Sequence, residues 1–182
     1  MQIKQALAHR LRYVLAALPM AFLSCAPSAQ AAEGGLGLRA GMGSEAYRAE
    51  VFYQTEPFWS YELGGNWGKL TLDGEFGVAY WKARHNDESG NAWQFTATPM
   101  LRWWMTPTFY LEGGVGPSVF STTHVAGKQI STAFQFADQI GIGFRPSRSH
   151  DISLRFAHYS NASIKRPNPG LNSLQLNYVY RF

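Results

Sequence analysis

The chain has 182 residues, with 16 Lys and Arg against 12 Asp and Glu, a formal net charge of +4 and a single cysteine. Its first 31 residues read as a secretory signal peptide: Lys4, Arg10 and Arg12 form a basic segment, Tyr13 to Leu23 a short apolar one interrupted by Pro19, and Ala29-Gln30-Ala31 an A-x-A cleavage site. Removing it takes away three basic residues and Cys25, leaving 13 bases against 12 acids, which excludes a polyanion-binding surface, a disulfide scaffold and a thiol nucleophile.

Residues 32–182 amount to one domain, and no apolar run in them is long enough for a helical membrane span. Alternation at period two instead predicts eight strands, separated by segments rich in Gly, Pro, Asn, Asp and Ser. At alternate positions the apolar faces run from Leu36 to Met42, Tyr47 to Tyr53, Leu70 to Tyr80, Trp93 to Trp103, Phe109 to Val119, Phe134 to Phe144 and Ile152 to Phe156. The closing set, Leu174, Leu176, Tyr178, Tyr180 and Phe182, ends on an aromatic residue as outer-membrane barrels do.

The opposite faces carry Arg39, Arg48, Glu50, Asp73, Glu75, Arg102, Glu112, Arg145, Arg155 and Arg181. Such a set cannot face lipid. A barrel of eight strands is filled by its own side chains, so these charges are expected to pair as an internal network that leaves no channel. A soluble lipocalin-like barrel would show the same alternation with the two sides exchanged. The terminal aromatic, the Tyr and Trp residues at strand ends and the glycine-rich polar faces favour the membrane version. The predicted fold is therefore all-β, an eight-stranded antiparallel transmembrane barrel over residues 32–182, in the bacterial outer membrane.

An even strand count puts both termini on the periplasmic side. Thr106-Pro107 and Pro146 to Ser149 become periplasmic turns, and Lys82 to Asn91, Ser121 to Ile130 and Ala162 to Leu171 extracellular loops. Pro57 to Asn66 is also assigned as a periplasmic turn, although it is long for one.

His158 and Ser160 stand two apart on the seventh strand, sharing the lipid-facing side of Ile152, Leu154 and Phe156 at its extracellular end. Polar groups there cost roughly 1 to 3 kcal/mol each unless they are satisfied or do work. A serine hydroxyl needs an imidazole to take its proton, and the imidazole needs an orienting partner. Asn172 on the eighth strand and Asp138 on the sixth are both candidates for that partner. Simpler roles stand beside these: His158 and Ser160 as interfacial polar groups, Asn172 as a loop cap with Asn168 and Gly170, and Asp138 as a partner of Arg145, Arg148 or a lipid-bound cation. No metal or cofactor is implied.

The run His158-Tyr159-Ser160-Asn161-Ala162, followed by Ile164-Lys165, Pro167-Asn168 and Gly170, resembles the signature of the PagL family of lipid A 3-O-deacylases. The resemblance extends upstream to Phe136, Asp138, Ile140-Gly141 and Gly143. It implies that Ser160 is the nucleophile and His158 the general base. It further implies that Asn161, Ala162 and Ser163 help to hold the oxyanion, with Phe136 and Asn168 also on the oxyanion or substrate side. The implied reaction is metal-free hydrolysis of the acyl chain at position 3 of lipid A, with lipopolysaccharide and outer-membrane lipids as the partners and no nucleic acid.

One position departs from the pattern. Where the best-known form of the motif has a glutamate as the acid, this chain has Asn172. An amide can fix the histidine tautomer but gives up charge stabilisation, which leaves two routes open: Asn172 orients His158, or Asp138 supplies the charge. The rival functions are a phospholipase or acyltransferase using the same pair, and a non-catalytic small barrel, against which the short loops argue. Oligomeric state is left open, a homodimer being one arrangement.

Overall fold

The computed structural model describes residues 34–84 and 90–182; the predicted signal peptide lies outside them, as do five residues of the loop expected over Lys82 to Asn91. The strands are β1 (Gly35–Met42), β2 (Ala46–Gln54), β3 (Trp59–Glu62), β4 (Lys69–Ala83), β5 (Ala92–Trp104), β6 (Phe109–Phe120), β7 (His124–Val125), β8 (Lys128–Gln129), β9 (Phe134–Phe144), β10 (His150–Ser160) and β11 (Leu171–Arg181). The order β2-β1-β11-β10-β9-β6-β5-β4, closed by β2 pairing with β4, makes an eight-stranded barrel. All its pairs are antiparallel.

The segment from Pro57 to Asn66 is not a long turn. β2 pairs with β4 as far as Gln54 opposite Glu75, and β3 resumes the same course at Trp59 opposite Leu72. Between them Thr55 to Phe58 bulge out, tied back by Thr55 N–H to the Gly74 carbonyl at 2.8 Å and Phe58 N–H to the Leu72 carbonyl at 3.0 Å. Pro57 has no N–H to give a ladder, and a bulge is where a strand tolerates that loss. The turn proper is Leu63 to Gly68, closed by the Leu63 N–H on the Gly68 carbonyl at 2.9 Å.

The alternation resolves with its apolar side outward. Leu38 and Ile140 are 61% and 67% exposed, whereas Arg102, Arg155 and Glu112 are buried, which is the reverse of a lipocalin-like arrangement. Exposed apolar side chains on every barrel strand form the lipid-facing wall.

Inside, the lumen is filled in three layers. In the middle, Glu75 receives Arg39 at 2.6 Å, Arg102 at 2.7 Å and Arg155 at 2.8 Å. Glu112 binds Arg155 at 2.9 Å and Arg102 at 3.2 Å, Arg102 also meets Asp73, and Glu50 joins Arg39 at 2.5 Å to Arg48 at 2.8 Å. At the turn end, Trp104 and Tyr110 pack at 4.5 Å between centroids, and the Tyr110 hydroxyl donates to Asp151 at 2.6 Å. At the loop end, Trp81, Phe120 and Tyr159 close the lumen, with Trp81 edge-on to Tyr159 at 5.4 Å.

The segment Ser121 to Ile130 departs from the expected free loop. It carries the small hairpin β7–β8 and turns inward, burying Val125, Ala126 and Ile130 in the aromatic layer.

Removing Glu75 leaves three guanidinium groups sharing a buried space without their common carboxylate. Glu75→Ala is therefore expected to lower barrel stability by about 3 to 5 kcal/mol, read as a drop in the urea midpoint of protein folded into lipid vesicles.

Candidate active site

β10 lies between β9 and β11, and the register on each side decides what His158 meets. Across β11, His158 faces Asn172; across β9 it faces Asp138, with Ser160 opposite Phe136. Directly opposed residues share a face, so all five stand on the outer wall at the loop end. His158 Nδ1 and Asn172 Oδ1 are 2.7 Å apart. The amide oxygen accepts, so Nδ1 carries the proton and Nε2 presents its lone pair.

Asp138 makes no hydrogen bond or ion pair to His158 among the described residues. Nor is it the partner of Arg145, whose guanidinium pairs instead with Asp151 at 2.8 Å. The Asn172 side-chain oxygen is on His158, and it is Asn168 whose side-chain oxygen bonds within the loop, accepting the N–H of Asn161 at 3.2 Å.

The other boundary of the imidazole is backbone. Gly170 has φ of +66°, and a Cβ built on it would stand 2.6 Å from His158 Cε1. Only glycine accommodates both that conformation and that approach. The ring is thus held between an amide on one edge and a bare backbone on the next. In the sequence this glycine looked like an ordinary turn residue after Pro169, because nothing local shows what it touches.

The loop joining β10 to β11 turns sharply straight after Ser160. Ala162 and Ser163 both have positive φ, 51° and 63°, and the Ile164 N–H bonds the Asn161 carbonyl at 2.9 Å. This is a type I′ turn, whose two central N–H groups take no part in the turn's own hydrogen bond. Asn161 anchors it: fully buried, its amide donates to the carbonyls of Ile130 at 3.1 Å and Lys165 at 2.9 Å.

The side-chain nitrogen and the backbone N–H of Asn161, a residue expected on the oxyanion side, are both engaged within the protein. The N–H groups of Ala162 and Ser163 are outside the turn's own hydrogen bond, and the Asn168 side-chain oxygen is taken up by the Asn161 N–H. The contact of Asn161 with Ile130 had no signal in the sequence, since 31 positions separate the two. Phe136 packs edge-on against Phe134 at 5.0 Å and gives the flank beside Ser160 an apolar surface.

Among the described residues, no group of three or more His, Cys, Asp and Glu side chains is placed to share a metal ion. A cavity of about 480 Å³ lined by Glu62, Lys69, Trp104 and Arg145 lies at the turn end, remote from His158 and Ser160.

A barrel with a charged interior, an apolar wall and an imidazole and a hydroxyl on that wall defines a class: a membrane-spanning barrel with a polar cluster on its lipid-facing side. The chain belongs to the lipid A 3-O-deacylase (PagL) family, whose family model matches residues 32–181. It is 48% identical over 161 residues to a lipid A deacylase PagL of Bordetella bronchiseptica, covering 88% of this chain and 90% of that one. A lipid A deacylase PagL of Pseudomonas aeruginosa is 29% identical over 169 residues, covering 91% and 93%. The crystal structure of the outer membrane enzyme PagL shares the fold, with a TM-score of 0.75 at 24% identity, covering 81% of this chain and 99% of that one. The chain is accordingly an outer-membrane barrel.

The wall at Gly170 is open to test. Gly170→Ala pushes a methyl group into His158 Cε1 and is expected to slow ester hydrolysis by about ten- to a hundredfold, the scale of a misplacement near 1 Å. The barrel should remain intact, as judged by its heat-modifiable migration on gels.

Proposed function

We propose that this protein removes the 3-O-linked acyl chain of lipid A in the outer leaflet, with Ser160 as nucleophile and His158 as general base. The observation that carries the assignment is the 2.7 Å bond from His158 Nδ1 to Asn172 on the lipid-facing wall, which leaves the lone pair on Nε2, with Ser160 two residues further along the same face of β10. As Ser160 Oγ attacks the ester carbonyl, its proton passes to Nε2. Collapse of the tetrahedral intermediate breaks the bond to the sugar oxygen at position 3, which takes that proton and leaves as the hydroxyl. Water then resolves the acyl-serine with His158 again as base, releasing the fatty acid.

The N–H groups of Ala162 and Ser163 and the Asn168 amide are the donors for the developing oxyanion. Asn161 supports them by holding the turn. The lipid-facing position lets substrate arrive laterally from the leaflet without leaving it. For the chain to be cleaved, a groove of about 310 Å³ lined by Leu101, Leu111, Gly113 and Ile140 runs along the same wall. Its Ile140 lies four residues down β9 from Phe136, roughly 13 Å at strand rise.

Asn172 fixes the tautomer of His158 without adding a negative charge. Asn172→Glu is expected to raise turnover several-fold and Asn172→Leu to lower it at least about tenfold, one decade being about 1.4 kcal/mol of barrel-bound transition-state stabilisation. Steady-state rates on purified lipid A check both. EDTA is expected to leave turnover in detergent micelles unchanged, which separates this chemistry from that of a calcium-dependent phospholipase.

The decisive experiment is mass spectrometry of lipid A from outer membranes carrying this protein or its Ser160→Ala variant at equal abundance. The expected result is loss of one 3-hydroxyacyl group with the native chain and none with the variant. Unaltered lipid A in both would overturn the assignment.

A further inference from the structure

The hairpin that plugs the loop end of the lumen also reaches the site, by two contacts from the inner side of the wall. β7 and β8 pair through His124 with Gln129 and Val125 with Lys128, and the hairpin is seated by the burial of Val125, Ala126 and Ile130. Ile130 gives its carbonyl to the Asn161 amide at 3.1 Å, where the loop after β10 begins. Lys128 Nζ reaches the Gly170 carbonyl at 3.5 Å, where that loop ends. The same ammonium pairs with Glu45 Oε2 at 3.2 Å, in the turn between β1 and β2.

Gly170 is the residue whose backbone borders the imidazole, and Asn172, which holds Nδ1, follows two positions later. A glycine at positive φ has many other conformations open to it, so something beyond its own backbone must keep it there. Lys128 sets a positive charge beside the Gly170 carbonyl, at the outer limit of hydrogen-bond distance. Glu45 in turn fixes the ammonium. Its carboxyl is held below the usual carboxylate range, first by the Ser44 hydroxyl and then, against its partial burial, by Lys128, so it stays ionised at neutral pH.

We propose that Lys128 is a positioning residue for the hydrolysis: bridging Glu45 and the Gly170 carbonyl, it holds the backbone wall and the Asn172 strand end against His158. The active site on the outside of the barrel is thereby braced by a cation on a hairpin that fills the inside. This rests on the assignment of His158 as the general base but not on the identity of the lipid.

The test compares Lys128→Met, Lys128→Arg and Glu45→Gln as full-length barrels, each with folding verified by heat-modifiable migration. Two rates are read: lipid A turnover, resolved into kcat and KM, and covalent labelling of Ser160 by a fluorophosphonate, which reports activation of the hydroxyl without lipid A. Lys128→Met is expected to lower kcat and labelling together by about tenfold with KM within about twofold, Lys128→Arg to recover most of the loss, and Glu45→Gln to lose a few-fold.

Native kcat and labelling in folded Lys128→Met would overturn the proposal, and so would a loss that arginine does not recover. If Lys128→Met does not fold, Glu45→Gln decides alone: slower labelling supports the clamp, unchanged labelling overturns it. Failure of the deacylase assignment looks different, because the native protein would then label at Ser160 yet leave lipid A intact.

Discussion

A strand that crosses lipid can hide a charge in only one place, the lumen, and the whole of this structure follows from meeting that constraint. The carboxylate of Glu75, shared by Arg39, Arg102 and Arg155, is where the interior is tied together across strands far apart in sequence. Each ion is costly to bury and is tolerated because its partners are already in place at hydrogen-bond distance. With charge drawn to the inside, the outer wall is left almost wholly apolar. A histidine, a serine, an asparagine and an aspartate standing together on that wall are therefore exceptions that the fold itself does not require.

In the proposed reaction a carboxylate at position 172 would favour the imidazolium during attack, whereas the amide of Asn172 sets the tautomer through its oxygen and adds no charge. Asp138, across the strand on the other flank, is not drawn into bonding with His158, because the ring is turned toward β11 by the Asn172 oxygen and bordered there by Gly170.

Much of this was legible in the chain, because period-two alternation is a direct trace of a wall with lipid on one side. Ile152, Leu154 and Phe156 place His158 and Ser160 on the correct face without further information, and strand order alone brings Asn172 and Asp138 to either side. Pro57 was misleading: proline marks both a turn and a bulge, and only pairing with β4 on both sides of it shows that the strand resumes at Trp59. The hairpin within Ser121 to Ile130 was hidden for a different reason. Its buried residues, Val125, Ala126 and Ile130, are few and follow no period, so their destination depends on the space left between Trp81, Phe120 and Tyr159. The contacts of Asn161 and Gly170 were beyond reach for the same cause, being fixed by tertiary approach rather than by local pattern.

Those hidden contacts bear on how the proposed site on a lipid-facing wall is supported. A soluble enzyme surrounds its catalytic groups with protein, whereas here the substrate side must stay open to the leaflet and can supply no support. What remains is the lumen behind the wall: at one end of the loop after β10 Asn161 donates to the Ile130 carbonyl, and at the other Lys128 Nζ lies 3.5 Å from the Gly170 carbonyl. A channel-forming barrel would have no filling from which to make such contacts. The packed interior thus also supplies the contacts that lie behind the proposed site.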